Sequence, residues 1–487
     1  MHKILPVVNV LSKILMVFSF CYLLPIVTSF IYEEHSHEYF FKSFAMTAGP
    51  GYLIWISTRR FQRELKTRDG FLLVVLTWIG MAAFSTLPLM YANSDLSFTD
   101  AFFETMSGLT TTGATVLSGL DNLPKAINLW RHELVWVGGM GILVLVVAIL
   151  PLLGVGGMQL YKAETPGPMK DNKLTPRITE TAKNLWLVYF GITVLCIISL
   201  KIAGMDWFDS ICHAFATMGL GGFSTHDASI SFFKSIGIEI VLIIFMLISA
   251  MNFATHFLAV RARSFSIYKS DIEGLMFLKV IFISILGVTL FLYVSGTYTD
   301  FWLALRDVSF NLVSIATDCG FMSVDYGNDK WPIAAPLWML FLSCIAASSG
   351  STGGGIKMIR TMVLYKQGQR EIVKLLHPAI VDPLKVGEQI IPNNVVFSVL
   401  GFIFLYFICV LILTFLLLGS HLDFISAFTA IIACINNAGP GLGVVGPANN
   451  FGSLTDFQTW VCSLAMLLGR LEIFSLLIIF TPAFWRK

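Results

Sequence analysis

Charge is what this chain has least of. Only 13% of its 487 residues are Asp, Glu, Lys or Arg, against roughly 25% in soluble domains. That scarcity excludes an ordinary soluble globular protein. The eight cysteines stand singly, at 21, 196, 212, 319, 344, 409, 434 and 462, and none forms a CxxC. A zinc ribbon or a dithiol redox motif is therefore excluded, and isolated cysteines in apolar runs read as small core residues. The nine histidines include no HExxH. No nucleophile–base set or metal-ligand spacing emerges, so the chain does not read as an enzyme. Net charge is +2 with no basic tail, and nothing points to nucleic acid.

What is present is apolar. Hydrophobic residues make up 56% of the chain in long runs along its whole length, the pattern of an all-α polytopic membrane protein. The first run, Ile4 to Tyr32, is too long for a signal-peptide core and reads as a retained span. Ten spans are expected. Two come first, at about 8–31 and 38–58, followed by four pairs. The pairs fall at about 71–92 with 130–153, 181–204 with 234–258, 275–296 with 334–362, and 394–418 with 457–484. This divides the chain into an N-terminal pair of spans, 1–70, and four repeats at 71–160, 161–263, 264–392 and 393–487.

One short segment lies inside each pair. DAFFETMSGLTTTG (100–113), DSICHAFATMGLGG (209–222), DVSFNLVSIATDCG (307–320) and SAFTAIIACINNAG (426–439) align on one another, and each ends in glycine. None is long enough to span, so each reads as re-entrant. Layout repeated this regularly is the mark of a membrane fold built by duplication. Lys and Arg cluster at 59–68, 162–183, 261–279, 357–385 and at the C-terminus. With ten spans, all these clusters fall on one side. By the positive-inside rule both termini are cytoplasmic and the four windows enter from outside.

A cation crossing a membrane must shed water, and backbone carbonyls held around an axis can replace it. Glycine permits the backbone angles this needs. A short helix before the glycine points its partly negative C-terminus at the ion. The candidate filter residues are thus Thr110, Thr111, Thr112 and Gly113, then Leu220, Gly221 and Gly222, then Asp318, Cys319 and Gly320, then Asn437, Ala438 and Gly439. Thr110–Gly113 is similar to the threonine-then-glycine run of potassium filters. Any one such glycine alone would read as a helix-packing residue; four at one register read as a filter. Asp100, Asp209 and Asp307 are expected to cap the helix starts, with ion funnelling as the other role open to them.

Three further features lie at membrane depth. Ser348 to Gly355 interrupts the second span of the third repeat. Irregular backbone there is tolerated only where it is buried or lines a cavity. Gly350, Ser351, Thr352, Gly353, Gly354 and Gly355, with Lys357 following, form either a gate below the filter or a small-residue packing seam. Arg470 and Glu472 lie inside the last apolar run, two residues apart, so they cannot face one another on a helix. Arg470 is either an electrostatic barrier in the pore or half of an ion pair with a carboxylate elsewhere, and Glu472 reads as structurally paired. Two lookalikes fall away. Gly441–Gly446 fits GxGxxG without a strand–turn–helix context, and Gly350–Lys357 lacks the P-loop order.

On its long strings the chain resembles the Trk/Ktr/HKT superfamily of potassium transporters. They are TTTGAT at 110–115, GGFSTHD at 221–227, SGSTGGGIK at 349–357, NNAGPGLGV at 436–444 and GRLEIF at 469–474. The resemblance covers essentially the whole chain. It implies potassium as the transported ion, bound at the filter residues, with no organic cofactor. It also implies a pseudo-fourfold pore, a homodimer in the lipid of a bacterial inner membrane, and a cytosolic TrkA-like nucleotide-binding regulatory partner. Asp318 departs from the uncharged small residue usual there, with its carboxylate either hydrogen-bonded behind the filter or facing the ion. The alternative function is a sodium-permeable or cation-coupled secondary transporter. Such transporters more often show two inverted halves, whereas these repeats all run the same way.

Overall fold

The computed structural model describes residues 4–61, 66–149, 178–327, 330–380, 382–387 and 389–486. Five continuous helical segments are long and apolar enough to cross a bilayer: Leu5–Ile31, Arg68–Ala92, Lys183–Ile202, Ile272–Val294 and Asn393–Gly419. Their outer faces are as apolar as their inner ones. Phe397, Phe404, Phe407 and Phe415 of Asn393–Gly419 all lie exposed, which suits lipid and not water. The helix His37–Thr58 completes the N-terminal pair. This pair docks on the first repeat through aromatic rings. Tyr22 stacks on the fully buried Trp130 at 4.7 Å and donates its hydroxyl to the Phe84 carbonyl. Such a ring pair contributes about 0.5–1.5 kcal/mol beyond its buried area.

The second helix of three repeats is broken, where the sequence signalled a break in only one. Ile236–Ser249 turns by 96° into Phe253–Ala262, and Asp456–Arg470 turns by 116° into Phe474–Phe480. The expected continuous spans at 234–258 and 457–484 are corrected accordingly. At the first bend Asn252 caps the new helix, its Oδ1 accepting from the Ala254 amide at 2.8 Å. At the second, Glu472 and Ile473 take positive φ, 50° and 21°. In the third repeat Ala334–Ile345 stops short and the chain resumes as Met358–Leu376. The expected end of the 130–153 span lies partly outside the described residues; the helix is seen over Lys125–Ile149.

Four short helices sit between the pairs: Phe98–Leu109, Trp207–Gly219, Phe301–Ala316 and Phe424–Asn436. Their caps are not the expected aspartates. Ser97, Asp206, Asp300 and Asp423 accept the first free amides, from Asp100, Asp209, Trp302 and Ser426. Asp100 and Asp209 stand in the first turn, where a negative charge still suits the helix dipole. Asp307 is deeper in its helix and accepts from the Tyr298 hydroxyl at 2.9 Å. A side chain must precede the helix to reach its free N–H groups, and these three come too late.

Candidate functional site

Each short helix leads into a short non-helical run, called a strand below, and the four have matching backbones. Thr111, Leu220, Asp318 and Asn437 adopt left-handed φ of 57°, 55°, 66° and 58°. Two residues later Gly113, Gly222, Gly320 and Gly439 are again positive, at 79°, 48°, 89° and 91°. Side chains are rare in such conformations and glycine is free to adopt them.

The glycines also close a ring. A Cβ on Gly113 would lie 2.3 Å from the Gly221 carbonyl oxygen, and one on Gly222 would lie 2.1 Å from that of Cys319. A Cβ on Gly320 would lie 2.6 Å from the Ala438 oxygen, and one on Gly439 would lie 2.9 Å from that of Thr112. Each strand thus abuts the next, first to second to third to fourth and back to first. No side chain fits at any of the four joints. The four joints are made by Thr112, Gly113, Gly221, Gly222, Cys319, Gly320, Ala438 and Gly439, while Thr110, Thr111, Leu220, Asp318 and Asn437 come just before them in the same four segments.

The ring is held from behind by its own side chains. The Thr110 and Thr112 hydroxyls pair at 2.8 Å, and Asn437 Nδ2 donates to Thr112 Oγ1 at 2.9 Å. Asp318 is fully buried and turned away from the strand, its Oδ2 accepting from the Gly354 amide at 2.9 Å. Of its two open readings, the hydrogen-bonded one describes this structure. Two residues unremarked in the sequence brace the first two strands. Buried Arg131 pairs with Glu104 at 2.7 Å and donates to the Ser224 carbonyl, while Glu104 accepts from Thr115 and from the Val116 amide. Two opposite charges inside apolar segments were a readable signal. Their pairing across 27 positions was not.

On one side of the ring a cavity of ≈ 90 Å³ is lined by Gly113, Gly222, Gly320, Arg131, His226 and Pro440. His226 bonds Asp121 and, at 3.3 Å, Asp209, and stacks on Phe232. Burial opposes charge on this ring, but the hydrogen bonds to Asp209 and Asp121 prevail and raise its pKa above 6.5.

On the other side lies the 346–357 segment, packed against three repeats. Thr352 Oγ1 donates to the Met218 carbonyl at 3.1 Å, and the Phe253 amide donates to the Gly350 carbonyl. Gly354 is so close to the fourth short helix that a Cβ would lie 1.8 Å from the Asn436 oxygen. Glu273 Oε1 accepts from the Ser349 amide at 2.7 Å and the Ile359 amide at 3.1 Å, tying both ends of the segment to one side chain.

Arg470 joins segment and ring. It donates to Thr111 Oγ1 at 2.9 Å, to the Thr352 carbonyl at 3.1 Å and to the Gly138 carbonyl at 2.8 Å. Among the described residues no carboxylate pairs with it, so the expected alternative of an ion pair is corrected. Glu472 does pair, with Arg360 at 2.8 Å. Arg470 also approaches Trp78, its guanidinium 5.7 Å from the ring centroid.

An apolar helical chain with several membrane-length helices, in which four loop segments meet in a buried backbone ring beside the Arg470 guanidinium, defines a multi-pass membrane protein. The comparisons narrow this to a family. The family described as TrkH, cation transport protein, matches residues 36–487, and the chain belongs to it. The chain is 44% identical over 482 residues to the Trk system potassium uptake protein TrkH of Escherichia coli (strain K12), covering 99% of each. It is 39% identical over 472 residues to TrkG of the same organism, covering 96% of each. The crystal structure of the potassium transporter TrkH from Vibrio parahaemolyticus matches with a TM-score of 0.91 at 42% identity, over 99% of both chains.

Proposed function

We propose that this chain takes up potassium through the four-strand ring. The observation that carries the reading is the closed cycle of glycine–carbonyl contacts, which leaves backbone rather than side chains to meet an ion. Carbonyl oxygens replace the hydration shell of potassium, and the C-terminal ends of four short helices feed directly into the strands, each adding partial negative charge. The relatives' names as Trk system potassium uptake proteins support potassium as the transported ion.

On this reading the ring is the selectivity filter and the 350–355 segment is the gate. Arg470 is a fixed positive charge beneath the filter. The chain makes ten spans when each broken helix counts as one crossing, grouped as an N-terminal pair and four repeats. Both termini face the cytoplasm of a bacterial inner membrane. The protein works as a homodimer under a cytosolic TrkA-like nucleotide-binding partner, which acts on the Lys357–Lys385 side. The test is growth of an uptake-deficient bacterium at low potassium, with the chain expressed with and without such a partner. Growth restored by the parent and lost in a Gly113→Ser variant of equal abundance supports the reading. Failure of the parent to restore growth even with the partner, at normal abundance, overturns it.

A further inference from the structure

The position two residues before each ring glycine is occupied by Thr111, Leu220, Asp318 and Asn437. Only the third is charged, and it is also the only one hydrogen-bonded directly to the glycine segment. Asp318 Oδ2 receives the Gly354 amide, and a Cβ on Gly353 would lie 3.3 Å from the same oxygen. Two residues beyond the segment, buried Lys357 folds back and donates its ammonium to the Gly353 carbonyl. Burial opposes charge on both groups, and each charge supports the other across the segment, with Glu472 also supporting that of Lys357 and Arg470 and Arg360 opposing it. Carboxylate and ammonium therefore grip the two ends of one peptide group, its Gly353 oxygen and its Gly354 nitrogen. The Asp318 grip is lost if the segment swings away from the third strand, and the carboxylate and ammonium part with it.

We propose that Asp318 and Lys357 are positioning residues that form a charge latch, holding the glycine segment shut against the third filter strand. The latch couples the two parts, because the residue that shapes the strand also holds the segment. It rests on the reading of 350–355 as the gate. Opening must separate Gly354 from Asp318 and strand both charges in a poorly solvated site, which favours the closed state. A carboxylate at this one position thus sets how firmly the partner must pull.

The test is ion flux per folded protein in liposomes, without partner, for Asp318→Asn, Lys357→Met, the double variant and Lys357→Arg, beside a chain lacking 350–355. Asp318→Asn keeps an oxygen for Gly354 but removes the charge. Each charge-removing single variant should raise partner-free flux about tenfold, equivalent to about 1.4 kcal/mol. The double variant, which leaves no orphaned charge and guards against misfolding, should rise no further than the larger single effect. Lys357→Arg keeps the charge and should stay within about twofold of the parent. Parent-like flux in all charge variants, with the deletion chain open, overturns the latch and leaves the gate standing. Equal rises in Lys357→Arg and Lys357→Met also overturn it, since fit and not charge would then matter. If the folded deletion chain stays closed, the gate reading falls and takes the latch with it.

Discussion

Arg470→Ala should open the pore electrically while costing the fold little. The guanidinium donates to one hydroxyl and two carbonyls and has no counter-charge among the described residues. A buried cation of this kind has surrendered its water, so the gain from its hydrogen bonds is largely offset by desolvation. Removing it leaves three acceptors that water can reach through the vacated space. We therefore expect a melting temperature within a few degrees of the parent. Flux is another matter. Thr111 Oγ1 is 2.9 Å from the guanidinium, and an ion held in the ring is taken to lie about 7 Å from it. At an effective dielectric of about 20, two unit charges there repel by about 2.4 kcal/mol. Ion occupancy beneath the ring should rise by roughly fiftyfold when the charge goes. Rubidium flux into liposomes, normalised to folded protein, measures this. Arg470→Lys keeps the charge and should stay near the parent. Flux in Arg470→Ala within twofold of the parent, at equal melting temperature, would refute the barrier.

Two further outcomes follow from the geometry. Alanine or serine at Gly222 must displace a carbonyl that would lie 2.1 Å from the new Cβ. Such variants should lose potassium preference over sodium or fail to fold, and Gly113, Gly320 and Gly439 should behave alike; ion competition in each variant checks this, and unchanged selectivity in all four sinks the filter. Burial opposes charge on His226, but its hydrogen bonds to Asp209 and Asp121 raise its pKa. Its stabilising charge is therefore fully present below about pH 6.5 and is lost as pH climbs through the raised value. Melting curves of parent and His226→Gln should differ more at about pH 5.5 than at about pH 9; a gap independent of pH would contradict the ion pairing.

The ring was legible because its requirement is local. A glycine that must accept positive φ and a neighbouring carbonyl leaves a mark at one position, and four such marks at one register leave little else to fit. The bends at 250–252 and 471–473 left no such mark. Apolar residues continue on both sides of each break, and hydropathy is blind to the direction in which a helix travels. The caps were misplaced by three to seven residues, Asp100 for Ser97 and Asp307 for Asp300, because an acid in the first turn and one before it look alike in composition. Arg470 was legible as a charge in the wrong solvent, but its partners, the distant Thr111 hydroxyl and two backbone carbonyls, are displayed by no sequence.

Because the four quarters belong to one chain, no substitution in the ring is multiplied. A pore made of four identical subunits would carry any new carboxylate four times, facing itself across the axis. Here the first quarter supplies a threonine to the arginine of the fourth, while the third alone has an acid and the segment that the acid holds. Covalent linkage releases each quarter to specialise, so the first and third need not carry the same side chains.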